Sequence, residues 1–189
     1  MDKGRHLKVF LEGLGSSHVC LIGPDYDTMF GTLCTILGVG FLVLCFPAWC
    51  IGTFFGGLCL LLFVTFLFSF LLVSLSDPGI IPKQSKDQLE MQRSEMVERG
   101  EVEASKILTC SVCNIFRPRG SFHCRTCDAC IEHMHHHCPF TGHCIGKRNL
   151  WYFYFFITML YITLIVFIGT VAWWAVLFAS SGGKCSGSA

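Results

Sequence analysis

Charge is what this chain lacks over most of its length. Only 14% of its 189 residues are Asp, Glu, Lys or Arg, against about a quarter in soluble domains. Two runs carry no charged residue and no histidine: residues 28–76, 49 in all, and residues 149–183, 35 in all. A membrane-spanning helix takes about 20 apolar residues. The first run therefore has room for two spans and the second for one. Their length argues against a buried soluble helix. The compact charged-then-apolar order of a signal peptide is also missing. Residues 1–27 scatter Lys3, Arg5, Lys8, Glu12, Asp25 and Asp27, so the first span is expected to insert as its own anchor.

The basic residues set the expected orientation. Lys3, Arg5 and Lys8 precede the first span, and ten more, from Lys83 to Arg148, lie between the second and the third; only Lys184 falls elsewhere. Cytoplasmic loops carry the Lys/Arg excess, and 13 of the 14 basic residues agree. The N-terminus and the segment between spans two and three are thus expected in the cytosol. The connection around Pro47 and Gly52 would face the lumen or the exterior.

The expected organisation has six parts: an N-terminal cytosolic arm (1–28), a two-helix transmembrane hairpin (29–76) and a cytosolic linker (77–109). A cysteine-rich domain (110–149), a third transmembrane helix (150–178) and a short polar tail (179–189) follow. The linker alternates in charge, which permits an amphipathic surface helix or a solvated connection.

What the chain has in excess is metal-ligand chemistry. Residues 110–144 read CSVCNIFRPRGSFHCRTCDACIEHMHHHCPFTGHC, with seven cysteines and six histidines. In a reducing compartment such density points to metal or catalysis rather than disulfides. Structural zinc takes four thiolate or imidazole ligands, often as C-x2-C pairs. One assignment gives two interleaved sets: Cys110, Cys113, His123 and Cys130, then Cys124, Cys127, His137 and Cys144. Both show gaps of 3, 10 and 7 residues, an internal duplication.

That assignment leaves out Cys138, with His133, His135, His136 and His143. A thiol beside imidazoles and a metal ion is placed for nucleophilic work. If residues 135–138 are extended, alternate side chains share a face. His136 then lies with Cys138 as its base, and His137 points away toward zinc. Cys138 as an alternative zinc ligand or an inert thiol stays open on the residues alone.

Together, C-x2-C, H-C-x2-C-x2-C, H-H-C-P, C-x-G-x2-N and the aromatic at Phe153 resemble the DHHC family of protein S-acyltransferases (palmitoyltransferases). So do Asp77-Pro78-Gly79 and the flanking spans. The resemblance implies a fold: an α-helical integral membrane protein with a cytosolic, loop-rich two-zinc domain between the second and third helices. It implies two structural Zn2+ in the sets above, Cys138 as the acyl-accepting nucleophile and His136 as its general base. The substrate would be palmitoyl-CoA or another long-chain acyl-CoA, and the acceptors cysteines of substrate proteins. Lys147 and Arg148 are candidates for the CoA phosphates or for anchoring at the membrane surface.

The chain departs from the family pattern in four places. His135 stands where the family has the Asp that orients the base. Phe140 replaces a Trp, and His143 an Asn. A fourth span and a T-T-x-E motif do not follow, which reads as C-terminal truncation.

The expected function is acyl transfer from acyl-CoA to protein cysteines. The alternative is a weak or inactive relative serving as a zinc-stabilised membrane scaffold. The bilayer is the expected partner, at the endoplasmic reticulum or Golgi. Nucleic acid is not expected, because the cysteine-rich segment is tethered between spans.

Overall fold

Uncharged sequence leaves the backbone to satisfy its own hydrogen bonds, and in lipid a helix does so completely. The structure, a computed structural model, describes residues 8–10, 20–100 and 108–182. The expected tail beyond residue 182, with Lys184 and Cys185, lies outside them. A short strand pair, β1 (Lys8–Phe10) and β2 (Cys20–Ile22), precedes helix α1 (Tyr26–Val43). A π-helical turn, Leu44–Ala48, and a single turn α2 (Trp49–Ile51) lead to α3 (Thr53–Leu75). Pro47 lies in the π-helical turn, as its missing N–H requires a break in the regular ladder.

The last helix, α5, runs Leu150–Ser180. At 1.5 Å per residue, α1, α3 and α5, with 18, 23 and 31 residues, are about 27, 35 and 46 Å long. Each is long and apolar enough to cross a bilayer. Large apolar side chains such as Phe54, Phe41, Ile165 and Val176 are exposed, as lipid-facing positions are. Residues 27–74 and 151–189 make up one of two compact units. Within it Phe63 stacks on Phe167 at 6.3 Å and Phe66 on Phe156 at 5.8 Å. Gly40 lets Phe63 approach; a Cβ there would lie 2.2 Å from the ring. An apolar cavity of about 700 Å³ opens among α1, α3 and α5, lined by Val39, Phe63, Leu160 and Phe167 among others.

The second unit, residues 1–26 and 75–150, holds the cysteine-rich segment. It is built from short hairpins rather than loops alone. β3 (Ile80–Ile81), β6 (Phe122–Cys124) and β7 (Ala129–Ile131) form a sheet in the order β3-β7-β6. β4 (Thr109–Cys110) pairs with β5 (Ile115–Phe116), and β8 (His136–Cys138) with β9 (His143–Ile145). Asn114 and Asp128, each directly after the second cysteine of a C-x2-C, take positive φ of 51° and 47°. Asn and Asp tolerate that conformation better than other side chains, and its recurrence repeats the duplication in three dimensions.

The linker forms helix α4 (Lys86–Glu98), started by a capping box. The Ser85 hydroxyl accepts from the Gln88 backbone N–H at 3.1 Å, and the Ser85 backbone N–H donates to the Gln88 side-chain oxygen Oε1 at 3.0 Å. None of its residues is buried, and Leu89, Gln92 and Met96, three and four residues apart on one face, are its partly covered positions.

Candidate functional site

The hairpins bring eight donors into two clusters. Cys110, Cys113, His123 and Cys130 form one, and Cys124, Cys127, His137 and Cys144 the other, their ligand atoms all within 4.8 Å of one another. Register explains how: β6 and β7 pair His123 with Cys130, and β8 and β9 pair His137 with Cys144. In the first cluster His123 Nδ1 lies 3.3 Å from Cys113 Sγ and 3.9 Å from Cys130 Sγ. In the second, His137 Nδ1 lies 3.5, 3.4 and 3.5 Å from Cys124, Cys127 and Cys144, and the Cys127 and Cys144 sulfurs are 3.5 Å apart. A tetrahedron with zinc–sulfur and zinc–nitrogen bonds of ordinary length has edges of about 3.6 Å (S···N) and about 3.8 Å (S···S). Both clusters fit Zn2+ on donor type, number and spacing.

Crowded basic donors shift one another's protonation. Hydrogen bonding to Cys124 and Cys127, then to Asp25, holds the His137 imidazole up at about 11. Hydrogen bonds from Cys127 and Cys144 pull Cys124 far down, and burial pushes Cys130 up. Such convergence is resolved by a cation at the centre of each set.

Cys138 belongs to neither cluster. It closes strand β8 opposite His143 and is 8% exposed. The strand geometry puts His136 on its side and turns His137 the other way. Burial, then the nearby charges of His135 and His137, lowers the His136 pKa, which keeps its imidazole neutral. His135 Nδ1 is 2.8 Å from His136 Nδ1, so one ring donates and the other accepts. His143 also belongs to neither cluster. It is fully buried, and its Nδ1 donates to the Cys144 carbonyl at 2.8 Å. His133 adopts φ 45° and packs over Gly120.

Lys147 and Arg148 are held by carboxylates. Lys147 pairs with Glu132, and Arg148 Nη1 donates to Asp77 Oδ2 at 2.5 Å. Asp77 also turns the chain: its Oδ1 accepts from the N–H groups of Gly79 and Ile80 at 2.8 and 3.0 Å. Gly79 adopts φ 98°, and the turn packs so closely that a Cβ on Gly146 would meet the Pro78 carbonyl oxygen at 2.3 Å.

Two residues gain a role that the sequence does not give: Asn149, known there only as the last letter of C-x-G-x2-N, and Asp25. Asn149, fully buried, accepts from the Gly146 N–H at 2.8 Å and donates to the Cys144 carbonyl at 3.1 Å. It thereby fixes the backbone at a donor of the second cluster. Asp25 Oδ2 accepts from His137 Nε2 at 2.7 Å. No spacing links residues 112 positions apart, and an acid before an apolar helix reads as an ordinary helix start.

Membrane-spanning helices joined to a cysteine-rich unit with two zinc-type donor sets define the class: an integral-membrane zinc protein whose cysteine-rich segment keeps one buried thiol, Cys138, outside the metal clusters. Residues 103–182 match the family model for the DHHC palmitoyltransferase domain, and this segment is a domain of that family. Curated relatives agree. The chain is 37% identical over 133 residues to palmitoyltransferase ZDHHC9 of Bos taurus, covering 59% of this chain and 37% of that protein. It is 37% identical over 120 residues to palmitoyltransferase ZDHHC14 of Mus musculus, covering 52% and 24%, and 40% identical over 98 residues to palmitoyltransferase ZDHHC8 of Drosophila melanogaster, covering 50% and 10%. The chain thus spans little more than a third of the length of the ZDHHC9 protein it matches.

Proposed function

We propose that the chain is a protein S-acyltransferase working through an acyl-Cys138 intermediate. The observation that carries this reading is the buried Cys138 thiol, left outside two complete four-donor clusters on the strand it shares with His136 and His137. The eight clustered residues would hold two zincs, which keep the short hairpins folded; each hairpin is too small to build a core of its own. In the reaction His136 takes the Cys138 proton. The thiolate attacks the acyl-CoA carbonyl, the carbon–sulfur bond to CoA breaks, and the proton leaves with CoA. A substrate cysteine, its proton taken by His136, then attacks the acyl-Cys138 thioester; the carbon–sulfur bond to Cys138 breaks, the chain leaves on the substrate sulfur and Cys138 regains the proton. The apolar cavity among α1, α3 and α5 has room for a fatty chain, each buried CH2 contributing about 0.8 kcal/mol. Lys147 and Arg148 serve the CoA phosphates as second choices, because each must exchange a carboxylate for the ligand. The cations are 55% exposed, but Glu132 and Asp77 are only 26% and 12% exposed, so freeing either cation leaves a part-buried carboxylate unpaired.

The distribution of basic residues supports a cytosolic cysteine-rich unit. The disulfide at Cys50, in the connection assigned to the other side, fits an oxidising lumen. The six-part division given above and an endoplasmic reticulum or Golgi address belong to the same proposal.

A second reading, a weakly active or inactive member that acts as a zinc-stabilised scaffold, is favoured by one contact. His136 is met by an imidazole at His135 where a carboxylate would stabilise its protonated form better. Labelled palmitoyl-CoA decides between them. A hydroxylamine-sensitive adduct that vanishes in Cys138→Ser establishes the acyltransferase. No adduct on protein holding two zincs establishes the scaffold.

A further inference from the structure

His123 and His137 occupy equivalent places in the duplicated clusters, each turning Nδ1 toward sulfur. Their outer nitrogens are treated differently. His123 Nε2 lies 3.9 Å from Asp128 Oδ1, too far for a hydrogen bond, and Asp128 is half exposed and engaged with Lys83 at 2.5 Å. His137 Nε2 donates to Asp25 at 2.7 Å, and the Asp25 side chain is 29% exposed. Asp25 comes from far outside the cysteine-rich segment, from the last turn of chain before α1. It is fastened there twice more. Its N–H donates to the Gly142 carbonyl at 3.2 Å. Gly23 lies so close to the same loop that a Cβ would meet the Gly142 oxygen at 2.0 Å and His143 Cβ at 2.5 Å. Residues 23–25 therefore clasp the β8–β9 hairpin, which carries His136, His137, Cys138 and Cys144 together.

We propose that Asp25 is a positioning residue for the β8–β9 hairpin. It fixes the His137 tautomer so that Nδ1 faces the second cluster, and thereby sets the strand on which Cys138 sits. A carboxylate on the far nitrogen of a metal-bound histidine orients the ring and raises its basicity; removing such a partner typically weakens metal binding about 10- to 100-fold. The first cluster has no such partner at hydrogen-bond distance on His123 among the described residues. The effect is therefore confined to one zinc of two. The placement of Cys138 rests on the acyltransferase reading; the hold on His137 does not.

The test is chelator competition on the full chain loaded with zinc, read as zinc released against chelator concentration. Alkylation of newly freed cysteines, mapped by mass spectrometry, identifies the site that opened. Asp25→Asn is expected to give a biphasic curve, with one zinc released at about 10-fold lower chelator and alkylation at Cys124, Cys127 and Cys144 first. Asp128→Asn is expected to leave the curve unchanged. Asp25→Glu, which keeps the charge, should lie nearer the parent protein than Asp25→Asn does. Gly23→Ala, which pushes the clasp off Gly142 with the carboxylate intact, should again weaken the second zinc alone and carries the test if Asp25→Asn fails to fold. A curve for Asp25→Asn that overlays the parent, or loss of both zincs together, overturns the proposal. Zinc release and acyl-enzyme formation are separate readouts. A selective zinc effect without any acyl-Cys138 in the parent would refute the acyltransferase and leave the hold on His137 standing; acylation with no zinc effect would do the reverse.

Discussion

Replacing His135 by aspartate should speed acylation of Cys138. His135 Nδ1 lies 2.8 Å from His136 Nδ1. Counted along the side chain, that nitrogen is the atom after Cγ, the place an Asp Oδ would take. His135→Asp therefore puts an oxygen near the observed contact without moving the backbone. A neutral hydrogen bond contributes about 1 kcal/mol, and one with a charged partner about 1.5–3 kcal/mol. The gain arises as His136 takes up the Cys138 proton and becomes a cation. The contact is exposed, which screens the charge and favours the low end. A gain of about 1 kcal/mol in the transition state is about fivefold in rate. The assay is a single turnover of labelled palmitoyl-CoA on protein with two zincs, following the thioester at Cys138. An unchanged or slower rate, with both zincs retained, would show that His135 already does what a carboxylate would do, or that His136 is not the base.

Other substitutions test the scaffold. Asn149→Ala strands two backbone groups, the Gly146 N–H and the Cys144 carbonyl, and should cost about 2–4 kcal/mol, seen as a lowered denaturation midpoint. Gly146→Ala forces a methyl to 2.3 Å from the Pro78 oxygen and 2.6 Å from Ile131 Cγ2. Backbone cannot yield as a side chain does, so a loss of at least about 2 kcal/mol is expected in the same measurement. Cys113→Ala should drop the bound zinc from two per chain to one or none and unfold the hairpins, read by metal analysis and circular dichroism; two zincs still bound would refute the ligand assignment.

Much of this molecule is legible in its sequence because the signals are of kinds that survive without geometry. A charge-free run has few alternatives to a spanning helix, and three such helices form. The equal gaps of the two cysteine-histidine sets mark a duplication, and the hairpins close on those same eight residues. Strand alternation at residues 136–138 sets His137 apart from Cys138, and His137 is the one of the two that joins the second cluster. What stayed hidden depends on three-dimensional approach. The linker pattern permitted an amphipathic helix or a solvated connection; a capped helix forms, started by Ser85 and Gln88, with no buried residue and with Leu89, Gln92 and Met96 partly covered along one face. Lys147 and Arg148 look like free cations in the sequence; only the fold brings Glu132 and Asp77 to them. Asp25 is hidden for the same reason.

That last contact changes how the segment before α1 is to be read. A cytosolic arm would carry Asp25 as one more solvated acid, indistinguishable from Asp27. The structure separates them. Asp25 hydrogen-bonds a metal-cluster histidine and a loop carbonyl, and its neighbour Gly23 has no room for a side chain. A residue whose replacement by its near-isostere is expected to loosen one metal and spare its twin cannot be filler. The duplicated clusters are equal in ligands and unequal in support, and the better supported one carries the strand that ends in Cys138.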